Sequence, residues 1–343
     1  MVFPSPDEMR PNRPVTVATA GEALMDMIQE ADGRLRPCDG GAVYNLTRAL
    51  GLQGVGTLYL NPLSQDRFGR GLARAIAEAR VTPANPEPAH EPTSLAVVSL
   101  DEAGKASYSF YREGVADRRV DAATMSAQCA AQPALKMVVT GCLALVADDT
   151  PKYLPWLQAQ RAAGKLVVVD ANLRPAIVPD MAAYQASVMA ALGEADIVKV
   201  SDDDLHILGF TNADPLAAAR ELLAVTPARW LALTLGAKGA VFLDRSGGAW
   251  TSSESQPVTV ADTVGAGDCF LAGMLAELLE RPSMQAARTA AELRLDATDI
   301  EALLANAIAS ASLCVMQTGC QPPTREQVLQ RLGGGRPAFQ RLA

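Results

Sequence analysis

Segments typical of buried strands and of helices alternate along most of the chain. Short apolar runs at 135–140, 165–170, 195–200 and 230–235 predict strands. Apolar residues recur at helical spacing in segments that lie between and around these runs: 42–50, 71–79, 153–162, 182–192, 215–224, 269–279 and 300–316. Such alternation is typical of βαβ units, which build a parallel sheet. The pattern therefore predicts an α/β domain.

One region departs from this alternation. Residues 93–100 and 106–112 read as two strands joined by a polar turn at 101–105, and 33–37 is a further short strand-like piece. A hairpin of this kind does not fit inside a parallel sheet. We therefore expect a small second sheet, a lid, built from segments at about 27–40 and 93–118. The proline-rich stretch 82–92 connects into it.

The two ends of the chain are predicted to lie outside the main domain, which is expected to span 15–330. Residues 1–14 hold four prolines and no apolar run, so they predict a disordered tail rather than a signal peptide. Residues 331–343 are expected to form a C-terminal tail. No stretch approaches the roughly 20 uninterrupted apolar residues of a membrane span, so a soluble, cytoplasmic protein without a membrane partner is expected.

Composition and charge narrow the function classes. The chain has 343 residues, and its 30 basic and 38 acidic residues give a formal net charge of −8. An acidic balance argues against a general nucleic-acid partner. Cysteines at 38, 129, 142, 269, 314 and 320 form no Cys-x-x-Cys pair, and neither histidine lies near one of them. A structural zinc site is therefore not expected, and the cysteines are predicted to be buried thiols.

The sharpest local signal is the sequence DTVGAGD at 262–268, which directly precedes an apolar helical run. Glycines allow the backbone to bend tightly, and the first N–H groups of a helix carry partial positive charge and lack intrahelical partners. Together they predict a site for an anion such as a transferring phosphoryl group. A carboxylate at Asp268 can then take the proton of an attacking hydroxyl. The same residues also fit a simple turn that precedes an acidic first helical turn.

The DTVGAGD segment closely resembles a signature of the ribokinase/PfkB carbohydrate kinases. Further segments similar to that family follow in the family's order: 21–26, 40–45, 49–51, Asp66 with Gly69, Asp170 with Asn172 and Arg174, and Thr234 with Gly236 and Gly239. The resemblance covers roughly residues 15–325. It implies a ribokinase-like three-layer α/β/α domain with a small β-sheet lid, a small-molecule sugar as partner, and ATP and Mg²⁺ as cofactors.

The resemblance also implies roles for individual residues. Asp268 would be the general base, and the glycine turn of Gly265, Ala266 and Gly267 would form the anion hole with the N–H groups from Ala266 to Asp268. The sugar would be bound by Asp26, Gly40, Gly41, Asn45, Arg112, Asn172 and Asp268. Carboxylate and amide groups suit a polyol because they accept and donate hydrogen bonds to its hydroxyls. Taken as residue types alone, these positions equally fit a strand end, a helix entry or a solvated charge.

Nucleotide and metal contacts are implied in the second half of the chain. The nucleotide would contact Lys199, Ser201, Thr234, Gly236, Gly239, Gly265, Gly267, Asn306 and Gly319. Asp204 would hold metal-bound water, and Asp262 with the backbone of Val264 would bind a K⁺ ion that the family often uses. Residues 201–204 read SDDD, whereas many family members carry Asn-x-x-Glu, and Ser-x-x-Asp before an apolar run also fits a helix capping box.

Substrate choice depends on weaker signals. Residues 110–117 (FYREGVAD) and 199–204 (KVSDDD) look most like fructokinases, which predicts phosphorylation of fructose to fructose 6-phosphate. The alternative is a 2-keto-3-deoxygluconate kinase, since Arg112 can serve a substrate carboxylate as well. A catalytically silent sugar-binding protein is a further alternative, although Asp268, Gly265 and Gly267 are all present. A homodimer through the small sheet is expected, because exposed sheets often pair with a second copy.

Overall fold

The computed structural model of the protein describes residues 13–30, 32–100 and 106–342. The predicted turn at 101–105 and all but the last two residues of the predicted N-terminal tail lie outside these ranges. The strands in chain order are β1 Val17–Ala20, β2 Leu24–Gln29, β3 Leu35–Gly40, β4 Thr57–Tyr59, β5 Thr82–Pro83, β6 Ser94–Leu100, β7 Ala106–Tyr111, β8 Met137–Gly141, β9 Leu166–Asp170, β10 Ile197–Ser201, β11 Trp230–Thr234, β12 Ala240–Asp244, β13 Ala249–Ser253 and β14 Ala338–Arg341.

The seven predicted helices are all present close to their predicted positions, and the described residues form four further helices that were not predicted. Together they are α1 Ala42–Leu52, α2 Arg67–Glu78, α3 Ala122–Ala130, α4 Thr150–Ala162, α5 Met181–Leu192, α6 Asp202–Ile207, α7 Pro215–Val225, α8 Ala266–Glu280, α9 Pro282–Ala286, α10 Ala297–Val315 and α11 Arg325–Gly334. Asp66, Asp121, Asp180 and Asp296 begin α2, α3, α5 and α10 by accepting a backbone N–H of the first turn.

A ten-stranded sheet forms the centre, in the order β14-β13-β12-β11-β10-β9-β8-β1-β4-β5. Strands β4, β1, β8, β9, β10 and β11 run parallel to their neighbours, as βαβ units require, whereas β12, β13 and β14 extend one side antiparallel. The four strands predicted from apolar runs are β8 to β11, and each is confirmed.

Both faces of the main sheet are covered by helices. In β9, Val167 and Val169 pack into a core with side chains of α3, α4, α5 and α7. The intervening Val168 points to the opposite face, where its core is shared with α1, α8 and α10. This period of two follows from strand geometry. Two helical layers around one sheet confirm the predicted three-layer α/β/α fold.

A second sheet of four strands, in the order β3-β2-β6-β7, forms the predicted lid sheet. Alternation divides its side chains between two faces. Leu24, Asp26, Ile28, Cys38 and Phe110 face the cavity described below. The opposite face carries the buried Met25, the half-buried Met27 and Val97, and the exposed Leu35 and Tyr111.

One expectation about the end of the chain needs revision. Of the segment 331–343, predicted to be a tail, residues 331–334 complete α11 and residues 338–341 form β14 at the edge of the main sheet beside β13. The unpaired backbone of β13 explains this, because an edge strand offers a row of hydrogen-bonding groups.

Helix α10 is long and apolar enough to cross a membrane by length and composition, yet 67% of its apolar window is buried inside the fold. Its apolar character therefore fits a core helix.

Candidate active site

A cavity of about 380 Å³ lies between the lid sheet and the ends of β8, β9 and α8. Parallel strands point their carboxyl ends to this edge, which is where open α/β sheets bind ligands. Ten residues predicted for the site line it: Asp26, Gly41, Asn45, Asn172, Asp262, Val264, Gly265, Gly267, Asp268 and Gly319. A larger cavity of about 520 Å³, near Gly54 and Arg325, contains none of the predicted site residues.

Asp268 is the third residue of α8, and its side chain is only 6% exposed. Gly265 precedes the helix with a φ of 78°, in the left-handed region that favours glycine. A Cβ at this position would lie 2.2 Å from Sγ of Cys320, so the turn also requires glycine for space. The tight turn therefore places Asp268 and the first N–H groups of α8 at one wall of the cavity.

One part of the predicted anion hole is already engaged. The N–H of Ala266 donates to the carbonyl of Thr263 at 3.2 Å, and Ala266 does not belong to the cavity lining. The N–H groups of Gly267 and Asp268 fall in the first helical turn, which lacks intrahelical acceptors. Of the three N–H groups predicted for the anion hole, those of Gly267 and Asp268 are therefore the ones that face no acceptor within the helix.

The electrostatic surroundings tune the carboxyl group of Asp268. Burial raises the pKa of Asp268 to about 7, and the neighbouring carboxylate of Asp170 adds to this rise. Lys199 and Arg174 oppose it with positive charge, and Asn45 Nδ2 donates to Asp268 Oδ2 at 3.0 Å. A carboxyl group with a pKa near neutrality can both accept and release a proton at physiological pH.

Lys199 forms a buried ion pair directly behind the glycine turn. Its Nζ lies 2.9 Å from Asp170 Oδ1 and 3.1 Å from the point where a Cβ on Gly267 would stand. Burial lowers the pKa of Lys199, but the Asp170 carboxylate outweighs this effect and the pKa is raised. The ammonium group therefore stays charged beside the turn, although it does not line the cavity itself.

The residues predicted to bind the sugar include a second carboxyl group, that of Asp26. Burial raises the pKa of Asp26 to about 6, and the guanidinium of Arg174 partly offsets that rise. Gly40 is not in the cavity lining, but a Cβ there would lie 2.2 Å from Asp26 Oδ2. Gly40 thus gives the Asp26 carboxylate room. Asn172 follows β9 with a φ of 37°, a conformation that asparagine tolerates better than most residues, and it faces the cavity.

Two buried oxygen atoms at this cavity lack a partner within the described ranges of the chain. They are Oδ1 of Asn45 and Oε2 of Glu22. The other oxygen of Glu22 accepts the N–H of Ala42 at 2.7 Å and so fixes the entry of α1. Since buried polar atoms are nearly always hydrogen-bonded, these two oxygens are available to accept hydrogen bonds from water or from a ligand in the cavity.

Arg112 does not reach this cavity. Its side chain is 9% exposed, its Nη2 lies 3.6 Å from Asp117 Oδ2, and its Nη1 donates to the carbonyl of Leu143 at 3.3 Å. The guanidinium therefore ties β7 to the segment after β8. The predicted sugar contact of Arg112 finds no support in this geometry, and Arg174 is the arginine that lines the cavity.

The SDDD segment forms the capping box that its spacing predicts. Ser201 Oγ accepts the N–H of Asp204 at 3.0 Å, and Asp204 Oδ2 accepts the N–H of Ser201 at 2.8 Å. Asp204 Oδ1 accepts the N–H of Leu173 at 2.7 Å. Both oxygens of Asp204 are thus occupied by backbone donors, which leaves little scope for direct metal ligation.

The remaining nucleotide-side residues lie outside the cavity. Thr234 ends β11 opposite Ser201 in register, and Gly236 and Gly239 follow it at the same edge of the sheet. Asn306 is buried in α10, where its Nδ2 donates to Ala302 and its Oδ1 accepts from Arg325 at 2.8 Å. Because its amide is satisfied inside the protein, Asn306 fits a structural role better than the predicted nucleotide contact.

Asp262 fastens the loops on either side of the glycine turn. Its Oδ1 accepts the N–H of Val264 at 3.0 Å, and its Oδ2 accepts the N–H of Gly319 at 2.9 Å. The carbonyl of Val264 faces the thiol of Cys314 at 3.5 Å. Asp262 and Val264 lie together, and the two hydrogen bonds accepted by Asp262 hold the glycine turn to the loop at Gly319.

Sequence reasoning missed several residues that line the cavity. They include Glu22, Phe110, Cys142, Thr263 and Cys320. Glu22 lies next to Gly21 in the first family-like segment, so proximity to that motif was the available signal. Cys142 and Cys320 carried no such signal, because only the packing of distant elements brings them to the cavity.

Residues 16–327 match the family described as pfkB family carbohydrate kinase. The chain therefore belongs to the pfkB family, and it is a sugar kinase. It is 31% identical over 266 residues to the fructokinase of Rhizobium leguminosarum bv. trifolii, which covers 76% of this chain and 79% of that protein. The fructokinase of Salmonella typhimurium is 29% identical over 263 residues, or 75% and 82% of the two chains.

Solved structures agree with this assignment. Fructokinase from Xylella fastidiosa with bound ATP has a TM-score of 0.79 and 28% identity, with 93% of this chain and 98% of that chain covered. Fructokinase from Vibrio cholerae O395 in fructose, ADP and calcium ion bound form has a TM-score of 0.72 and 25% identity, with 95% and 100% covered.

Proposed function

We propose that the protein is an ATP-dependent fructokinase that converts fructose to fructose 6-phosphate. The observation that carries the mechanism is Asp268: a buried carboxyl group with a pKa raised to about 7, at the start of a helix, in a cavity under the lid sheet. The choice of fructose rests on the relatives, several of which are fructokinases.

In the proposed reaction, Asp268 accepts the proton of the sugar hydroxymethyl group as its oxygen attacks the γ-phosphorus of ATP. The bond between that phosphorus and the bridging oxygen breaks, and ADP leaves with the electron pair. The N–H groups of Gly267 and Asp268 stabilise negative charge on the transferring group. Asp26, Asn45 and the free oxygen of Glu22 hold the sugar hydroxyls, and the lid sheet excludes water.

The residues present fit a nucleotide at the same sheet edge. Lys199 keeps a positive charge behind the glycine turn, and Thr234, Gly236 and Gly239 border the adjoining surface. Mg²⁺ would neutralise phosphate charge, and Asp204 fits it only through water because its oxygens accept backbone N–H groups. A K⁺ site at Asp262 and Val264 stays a prediction, as do the cytoplasmic location and the absence of nucleic-acid and membrane partners.

A second candidate is 2-keto-3-deoxygluconate kinase. Arg112 cannot favour it, since its guanidinium is paired with Asp117. Arg174 can, because it lines the cavity and would bind a substrate carboxylate. A silent sugar-binding protein is disfavoured by the retained Asp268 and glycines.

The substrate is tested by measuring ATP consumption with fructose, tagatose, ribose, 2-keto-3-deoxygluconate and adenosine. We expect the highest kcat/KM for fructose, because the cavity offers carboxylate and amide acceptors for neutral hydroxyls. Turnover with the keto acid alone would retain the kinase and overturn the fructose assignment. Binding of sugars without turnover would contradict the proposed function.

A further inference from the structure

Three of the six cysteines meet at one point in the core. The sulfur atoms of Cys269, Cys314 and Cys320 all lie within 4.8 Å of one another, and each residue is buried. Cys269 is in the first turn of α8, Cys314 is near the end of α10, and Cys320 follows α10. Their sequence spacing matches no metal motif, so only the packing of α8 against α10 assembles this thiol cluster.

The thiol cluster lies directly beneath the glycine turn. Cys320 also lines the catalytic cavity, and its Sγ occupies the space beside Gly265. Cys314 Sγ is 3.5 Å from the carbonyl of Val264, and Cys269 is the residue after Asp268. Any change in the positions of the three sulfurs should therefore shift the glycine turn that precedes Asp268.

We propose that Cys269, Cys314 and Cys320 form a binding site for one thiophilic metal ion, such as Zn²⁺ or Cd²⁺, and that the bound ion restrains the glycine turn. Thiolates are the protein ligands that such ions prefer. A tetrahedral ion with Zn–S bonds of about 2.3 Å sets its sulfurs about 3.8 Å apart. The cluster reaches this spacing when its sulfurs move together by about 1 Å or less. Each thiol releases its proton on binding, and water from the cavity can supply a fourth ligand.

The competing explanation is plain packing, since reduced cysteines behave as small apolar side chains. The metal-site proposal and the packing explanation predict different affinities of the protein for metal ions. Tag-free, fully reduced protein is titrated with Cd²⁺ while sulfur-to-metal charge-transfer absorption is recorded, and intact mass is measured under native conditions. We expect one ion per chain, with the loss of thiol protons. Absence of the absorption band at saturating Cd²⁺ would overturn the proposal.

Cysteine-to-alanine variants test whether the metal ion binds to these three sulfur atoms. Cys314→Ala should weaken Cd²⁺ binding at least about 100-fold, since even outer partners of metal ligands matter about 10- to 100-fold. Cys129→Ala is the matched control, because Cys129 is equally buried but lies in α3, and it should bind as the parent protein does. Cys269→Ala provides a second test if Cys314→Ala fails to fold. Unchanged affinity in a folded cluster variant would place the ion elsewhere and overturn the site.

The effect of the bound metal ion on the glycine turn can be measured separately from metal binding. Amide hydrogen exchange in 262–269 and 314–320 should slow when the ion binds, and it should not change in Cys314→Ala under the same conditions. Exchange that is unaffected by a bound ion would overturn the restraint. Neither binding nor exchange depends on the identity of the sugar, so failure here is distinguishable from failure of the proposed kinase reaction.

Discussion

The carboxyl group of Asp268 is held between opposing influences. Burial and the Asp170 carboxylate raise its pKa, whereas Lys199, Asn45 and Arg174 favour the ionised form. The balance leaves the pKa near 7 rather than at the 3.8 of an ordinary aspartate. A stronger base results than a solvent-exposed aspartate would give, and it is still ionised in a useful fraction at neutral pH.

This balance predicts the pH dependence of catalysis. Below a pH of about 7 Asp268 becomes protonated and cannot accept the sugar proton, so kcat/KM should fall with one ionisation near that pH. Lys199→Met removes a charge that lowers the pKa of Asp268, so the fall should begin at higher pH in that variant. Rate profiles between about pH 5 and 9 provide the measurement. A rate that stays constant down to about pH 5 would contradict the role of Asp268.

At the scale of elements, the glycine turn and α8 act as one unit. Gly265 adopts a left-handed φ and packs against Cys320, while Asp262 ties the turn to Gly319. The predicted turn and helix are both confirmed, because glycine spacing and apolar periodicity are local properties. The bond from Asp262 to Gly319 spans 57 residues, so the sequence alone did not predict it and assigned Asp262 only to a cation.

Gly265→Ala tests this unit. The added Cβ is strained by the positive φ and meets the sulfur of Cys320, so we expect kcat to fall at least about tenfold together with a loss of stability of about 1–3 kcal/mol. Gly209→Ala is the control, since Gly209 has a φ of 92° but nothing within 4 Å of its Cβ position. Assays and thermal unfolding measure both quantities. Equal activity losses in the two variants would show that backbone strain alone, and not the contact with Cys320, matters.

Some elements escaped prediction for physical reasons. The hairpin of β12 and β13 closes around Gly247 and Gly248, a recognisable turn, yet it continues the main sheet antiparallel and breaks the βαβ pattern. Helix α3 is rich in alanine and buries only Met125 and Cys129, so its periodicity is weak. Strand β14 is partly exposed, and its pairing with β13 depends on the fold.

At the scale of the whole molecule, the main sheet and the lid sheet together determine the site. Asn172 follows β9 and lines the cavity, because topology brings the carboxyl ends of parallel strands to one edge; its contact with the sugar stays a prediction. Arg112 and Asn306 were predicted to contact the sugar and the nucleotide, but Arg112 pairs with Asp117 and the carbonyl of Leu143, and Asn306 pairs with Arg325. The direction in which a side chain points depends on how the fold packs around it, and a sequence motif does not specify that packing.

Exposed apolar side chains on the outer face of the lid sheet predict that the protein forms a homodimer. Leu35 is 45% exposed and Tyr111 61% exposed on the face that points away from the cavity. A second copy would bury these side chains, so we expect a homodimer in solution and a shift towards monomer in a Leu35→Asp, Tyr111→Asp variant. Sedimentation velocity measures the change, and Val225→Asp, an equally exposed apolar site on α7, serves as control. A monomeric parent protein would contradict the prediction.

The most direct test of Asp268 as base compares phosphoryl transfer to fructose by the parent protein and by Asp268→Asn. The amide keeps the size of the side chain and can still meet Asn45, but it cannot accept the proton. We predict a kcat lower by about 10²- to 10⁴-fold, with ATP and fructose binding within a few-fold of the parent. Turnover that is nearly unchanged in the variant would contradict the account.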